Sequence, residues 1–435
     1  MHPDEACDGY DAYSILKTGR DHHGNFLPLV MQGFSDYRMP LFQYSLVPLV
    51  AAFGLKPAVV RLGAALWGIV DLVAITFLAG LMMGWPAAAA AALFGAFSPW
   101  HLPFSRYGMG AITGSATVTL GMLCFFLWLR RHRDAWLLLS GAFFGLSLYS
   151  YAITKAFLPL LISLLIVLYW RELKAVRLKA LAAAAIVMLF ALPQAILLLM
   201  HSAEMQAQFH NLSVFDIIAT CRGCDPEQAR ATGHSLFYQL IGFAANWLSY
   251  FTPSFLFLVG DRGDHWTMLH PPGFGQLLPE QAPLILLALA AIVSARRRKT
   301  ALLLAGWLIV AALPAAFTLP GGGLASGSAR AADAERDARH FGQALAADAL
   351  LAAFPSRSAA RLAGDGALDS FLRPGICGAA RMDFADGGAE GGCGGTDPFG
   401  RDIPWRAICP ILLSRFSDAG RALLPVWNRT DSSRG

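Results

Sequence analysis

The residues of this chain that could do chemistry fall in a few short polar stretches. The first opens the sequence as HPDEACDGYDAYSILKTGRDHHG, with Asp4 and Glu5 adjacent, Asp8 and Asp11 close behind, and Tyr10 and Tyr13 interleaved. Adjacent carboxylates suit coordination of a hard divalent cation, or a general base tuned by its neighbour. The same spacing also describes a solvated acidic turn. The second stretch, SPWHLPFSRYG, has Pro99 and Pro103 to end a helix and presents His101, Ser105 and Arg106. A guanidinium there could grip a phosphate through its bidentate fork or snorkel to lipid headgroups. The third, SLYSYAITKAF, offers Lys155 as a point charge for a phosphate, beside Tyr149 and Tyr151 as interface anchors. The fourth, NWLSYFTPSFLFLVGDRGDHWTMLHPPGFG, carries Arg262, His265 and His270 next to Pro271 and Pro272. That composition fits a headgroup or phosphate site, and equally a structured cap.

Smaller signals are weaker. Cys221 and Cys224 form a CxxC without a second Cys/His pair at finger spacing, which leaves a disulfide or a partial metal site. Cys7 and Cys124 read as solitary, and Asp71 sits inside an apolar run with no evident basic partner. There is no phosphate-cradling GxxxxGK[ST], dinucleotide fingerprint or HExxH.

The elements that must position these residues are set by composition. Of 435 residues, 56% are hydrophobic and only 14% charged, against about 25% charged in a soluble domain. A soluble globule could not hide that much apolar surface, so the chain reads as an all-α polytopic membrane protein. Apolar runs at 60–83, 86–104, 111–129, 135–153, 178–200 and 300–318, with shorter ones at 156–170 and 282–295, make about eight spans. Three basic tracts interrupt them: Arg130, Arg131 and Arg133; Arg171, Lys174, Arg177 and Lys179; and Arg296, Arg297, Arg298 and Lys299. Neighbouring tracts are two spans apart, so all three share one face, which the positive-inside rule makes cytoplasmic. The four chemistry-bearing stretches then share the other face. The net charge of +5 is clustered in these tracts and reads as topology information, with no nucleic-acid partner implied.

Residues 1–59 are expected to be an extracytoplasmic acidic loop and an interfacial helix at 40–55, which is short for a span and broken by Pro48. Residues 60–319 form the bundle, with a large extracytoplasmic loop at 201–282. From about residue 320 the composition turns to Gly, Ala, Arg and Asp mixtures without a spanning run, so 320–435 is expected to be disordered or a frame-shifted reading, in a chain that lacks an initial span.

Taken together and in order, HPDEACDGYDAYSILKTGRDHHGNFLPL, SPWHLPFSR, GLSLYSYAITKAFLPLL and NWLSYFTPSFLFLVGD with HPPGFG resemble the polyprenyl-phosphate-dependent glycosyltransferases of the GT-C superfamily. The resemblance is to the bacterial branch akin to protein O-mannosyltransferases and the lipid A aminoarabinose transferase, and it covers about residues 1–320. It implies a GT-C-type helix bundle in a bacterial inner membrane, with an acidic pair at an active site on the periplasmic side. It also implies a sugar donor on an isoprenoid phosphate, a lipid, glycan or protein acceptor, and inversion at the anomeric carbon. On that reading Asp4 is the general base, and Glu5 orients the acceptor or a divalent cation. Arg106, Lys155, Arg262 and His270 are candidates to hold the donor phosphate, with His101, Tyr10 and His265 as further loop candidates. The competing readings are a transporter or lipid flippase, whose midplane binding groups and repeated halves are not evident here, and an inactive fragment of the same fold.

Overall fold

A computed structural model describes residues 3–32, 37–108, 110–200, 236–258, 275–283, 285 and 298–316. Within them the chain is almost wholly helical. Helix α1 (Pro3–Thr18) is followed by a two-residue antiparallel ladder, β1 (Met31–Gln32) with β2 (Tyr37–Arg38), pairing Met31 with Arg38. Then come α2 (Leu41–Phe53), α3 (Pro57–Met83), α4 (Trp85–Ala96), α5 (His101–Arg106) and α6 (Ala111–Arg131). They are followed by α7 (Asp134–Ser147), α8 (Thr154–Leu168), α9 (Trp170–Ala175) and α10 (Arg177–Met200). Helix α11 (Leu236–Ser249) leads to a π-helical turn at Ser254–Leu258, and α12 (Arg298–Ala316) closes the described chain.

Four described helices, α3, α6, α10 and α12, contain stretches long and apolar enough to cross a bilayer. Their burial shows where the core lies. In α6 the apolar window is 78% buried, whereas in α10 it is 11% buried. Leu178, Leu181, Met188, Leu189, Leu192 and Leu199 of α10 are exposed, a continuous apolar surface that water would penalise and hydrocarbon would not. Helix α6 packs against α3 and α7, and α7 packs in turn on α10.

Two expected spans are shorter than their apolar runs. The run 86–104 divides because Pro99 disfavours helical backbone at Ser98; α4 stops at Ala96 and α5 starts afresh at His101. The run 135–153 ends at Ser147, where Thr154 Oγ1 donates to the Ser147 carbonyl at 2.6 Å and Ser150 Oγ donates to the same oxygen. Hydroxyls that bond a terminal carbonyl offer the backbone an alternative to continuing the helix. Pro48, expected to break the segment at 40–55, lies instead within a continuous α2.

The basic tracts meet at one end of the bundle. Lys179 at the head of α10 lies 3.9 Å from Asp134 at the head of α7, and Lys299 at the head of α12 pairs with Glu172 of α9 at 2.5 Å. The acidic stretch and the next two chemistry-bearing stretches meet at the other end. The Gly108 amide, just past α5, donates to Glu5 Oε1 at 2.9 Å, and the Leu41 amide, at the start of α2, donates to the Tyr149 carbonyl at 2.9 Å. Helix α6 joins the two ends, and its 21 residues at about 1.5 Å each span about 31 Å, the thickness of a hydrocarbon core. Three of the four chemistry-bearing stretches therefore lie at the end opposite the basic tracts.

Candidate functional site

The acidic stretch is a helix, not a solvated turn. Asp4 and Glu5 occupy the first turn of α1 and Lys17 the last, the arrangement that complements the helix dipole. Spacing of i, i+4 and i+7 sets Asp4, Asp8 and Asp11 along one face. Most of the acids of α1 are withdrawn from water, since Glu5, Asp8 and Asp11 are all buried. Helix α1 lies against α2 and α3, with Gly9 permitting the approach: a Cβ there would stand 2.7 Å from Val60 Cγ2 of α3.

Each carboxylate has a particular partner. Glu5 is gripped bidentately by Arg61 of α3, with Nε to Oε1 and Nη2 to Oε2 both at 3.0 Å, and Oε1 also accepts the Gly108 amide. Asp4 and Asp8 share Arg38 of β2, which reaches Asp4 Oδ1 through Nη2 at 2.5 Å and Asp8 Oδ1 through Nη1 at 3.1 Å. Gln43 of α2 donates to the same Asp8 oxygen at 2.9 Å. Burial pushes the Asp8 carboxyl up to about 7, against the pull of Arg38. Asp11 accepts the His22 amide at 3.1 Å and meets His22 Nδ1 at 2.5 Å, folding the segment after α1 back onto it. Asp4 differs from its companions in remaining 24% exposed.

The expected pair Asp4 and Glu5 therefore diverges. Glu5 is a tie between α1, α3 and the α5 loop, with its oxygens spent on Arg61 and Gly108, while Asp4 is partly exposed and paired with Arg38. Oxygens already accepting from guanidinium and amide donors do not fit a cation bridged between Asp4 and Glu5. Arg106 is exposed at the end of α5, two residues before the Gly108 contact, so it is carried to the end of the bundle where α1 lies. Lys155 is half-buried in the first turn of α8, beyond the turn whose Tyr149 holds Leu41. Tyr10 is half-buried on α1, its ring centroid 6.5 Å from that of Tyr13. Arg262, His265, His270 and the Cys221–Cys224 pair lie outside the described residues, as does everything from residue 317 onward.

His101 turns away from the acidic helix. Its Nε2 stands 3.5 Å from Oδ2 of the buried Asp71, at ion-pair rather than hydrogen-bond distance, and Asp71 also accepts from Ser115 at 2.9 Å. Asp71, which looked partnerless in sequence, thus has a basic neighbour that ties α3 to α5. Cys7 is likewise not solitary, because its Sγ lies 4.0 Å from Asp11 Oδ2.

An open apolar pocket of about 430 Å³ lies beside the Leu41–Tyr149 contact, walled by Leu29, Pro40, Leu41 and Tyr44 on one side and Leu146, Tyr149, Leu189 and Phe190 on the other.

No protein-family model matches the chain, and no curated protein matches it. Among solved structures it is similar to ArnT from Cupriavidus metallidurans in the apo state, at 14% identity and a TM-score of 0.47, over 81% of this chain and 54% of that one. It is also similar to the same protein bound to undecaprenyl phosphate, at 14% identity and a TM-score of 0.49, over 81% and 55%. The chain spans about half the length of these structures.

Proposed function

We propose that this chain is a GT-C-type membrane glycosyltransferase that moves a sugar from a polyprenyl-phosphate donor to an acceptor hydroxyl on the extracytoplasmic side of a bacterial inner membrane. The observation that carries the reading is Asp4: a partly exposed carboxylate on a helix whose other acids are buried, one bilayer thickness from the basic tracts. A donor whose tail stays in hydrocarbon and whose sugar reaches water calls for a base at that level.

In the reaction proposed, an Asp4 oxygen takes the proton of the acceptor hydroxyl as the hydroxyl oxygen bonds to C1 from the face opposite the phosphate. The C1–O bond breaks with its electron pair leaving on the lipid phosphate, so the anomeric configuration inverts. The leaving group is already an anion and needs cations more than an acid. Arg106 and Lys155 are the described candidates for that duty, with Arg262 and His270 from the large loop. Arg38 and Gln43 orient the acidic face, and Glu5 fixes the helix that bears it. The apolar pocket under Tyr149 suits a segment of isoprenoid chain.

Membranes containing the chain, incubated with a labelled polyprenyl-phosphate sugar, test the reading. Transfer of label to an acceptor supports it. Label that only changes leaflet identifies a flippase, and label that does neither removes both activities.

A further inference from the structure

We infer that Cys7, Asp11 and His22 form a binding site for a divalent transition-metal ion of borderline softness, Zn²⁺ by preference. One ligating atom from each residue, the Cys7 Sγ, an Asp11 carboxylate oxygen and a His22 ring nitrogen, lies within 4.8 Å of the other two. Cys7 and Asp11 are one helical turn apart on α1, so the helix sets their side chains one above the other. His22 is delivered by the backbone, because its amide donates to Asp11 Oδ1 at 3.1 Å and its Nδ1 meets the same oxygen. The next turn is fixed as well: Asp21 accepts the amides of His23 and Asn25 at 3.0 and 2.8 Å. The three side chains are thus brought together by a helix and a braced turn, and Asp11 touches both of the others.

The donor set selects the ion. One thiolate, one imidazole and one carboxylate is a Zn²⁺ set, and the sulfur disfavours Mg²⁺ and Ca²⁺, which take oxygen. Three protein ligands leave a fourth tetrahedral position for water. Ligation by the Cys7 thiolate releases the Sγ–H proton to solvent, so affinity rises with pH. The site lies one turn beyond Asp4 on the same helix and does not depend on sugar transfer, so its test is separate from that of the proposed function.

The full chain, purified in detergent and stripped of metal, would be titrated with Co²⁺, read by its absorption spectrum, and then displaced with Zn²⁺. One equivalent per chain is expected, with a thiolate-to-cobalt charge-transfer band and the intense ligand-field bands of a four-coordinate ion. Cys7→Ser should abolish the charge-transfer band, and His22→Gln should weaken Zn²⁺ binding at least tenfold, in line with loss of one ligand. Asp4→Asn and the double variant Cys221→Ser/Cys224→Ser should both keep the band. A wild-type chain without the band, or a band that survives Cys7→Ser, overturns the assignment. Should Cys7→Ser fail to fold, unchanged Zn²⁺ affinity in His22→Gln overturns it instead.

Discussion

If Glu5 ties α1 to α3, the two sides of its ion pair should respond unequally to truncation. Arg61→Ala leaves a carboxylate that is 1% exposed and still accepts the Gly108 amide. Breaking a buried pair in this sense costs about 3–5 kcal/mol, and because Arg61 itself is 46% exposed, the water admitted in its place lowers the expected loss to about 2–3 kcal/mol. Glu5→Gln leaves a guanidinium that already reaches solvent, and the new amide still accepts one hydrogen bond, so the expected loss is about 1 kcal/mol. In a double-mutant cycle, Arg61→Ala in the Glu5→Gln background should cost less than about 1 kcal/mol, because the buried charge is gone. Unfolding of the purified chain in mixed micelles, driven by a denaturing detergent and followed by tryptophan fluorescence, reads all four corners. Equal losses in the two single variants, or a larger one for Glu5→Gln, would refute the reasoning that a desolvated carboxylate is what Arg61 holds.

Asp8 supplies a pH dependence of definite sign. Its folded carboxyl, near 7, lies above the ordinary value of about 4, so the folded state binds the proton more tightly. Stability should fall as pH rises from about 4 to about 7, by up to a few kcal/mol, and level off above; Asp8→Asn should flatten that limb of a pH series of unfolding midpoints. Gly68→Ala puts a Cβ 2.2 Å from Ser105 Oγ and 2.6 Å from its Cβ, so α5 must shift at a cost of about 1–3 kcal/mol, and the added change Ser105→Gly should recover most of it in the same assay. Lys299→Ala removes a pair whose members are 51% and 36% exposed, and its midpoint should move by less than about 0.5 kcal/mol.

The helical membrane-protein character and the shared end of the basic tracts were legible because they depend on composition and on charge clusters, which a linear reading sees directly. Basic tracts at 130–133, 171–179 and 296–299 implied a shared end, and the Lys179–Asp134 and Lys299–Glu172 contacts bring them together. Element ends were less legible, because hydropathy does not register local bonding: Ser150 and Thr154 end α7 inside an apolar run. The acidic stretch could have been recognised as helical from its first-turn acids and last-turn lysine, but its burial could not. The partners that create it are 56 residues away for Arg61 and 34 for Arg38. Arg38 lies nine residues beyond the first stretch that carried the resemblance, and nothing local marks it as the cation shared by Asp4 and Asp8. His101 and Asp71 were each visible as singular residues, and only packing of α5 on α3 joins them.

The central claim is that the Asp4 carboxylate accepts a proton during sugar transfer, and the most direct measurement is the single-turnover rate of label transfer from a polyprenyl-phosphate sugar in membranes carrying Asp4→Asn. A general base of this kind contributes about 10²–10⁴-fold, so the variant should lose at least about a hundredfold at unchanged protein level and insertion. Transfer within a factor of about three of the unaltered chain would contradict the account.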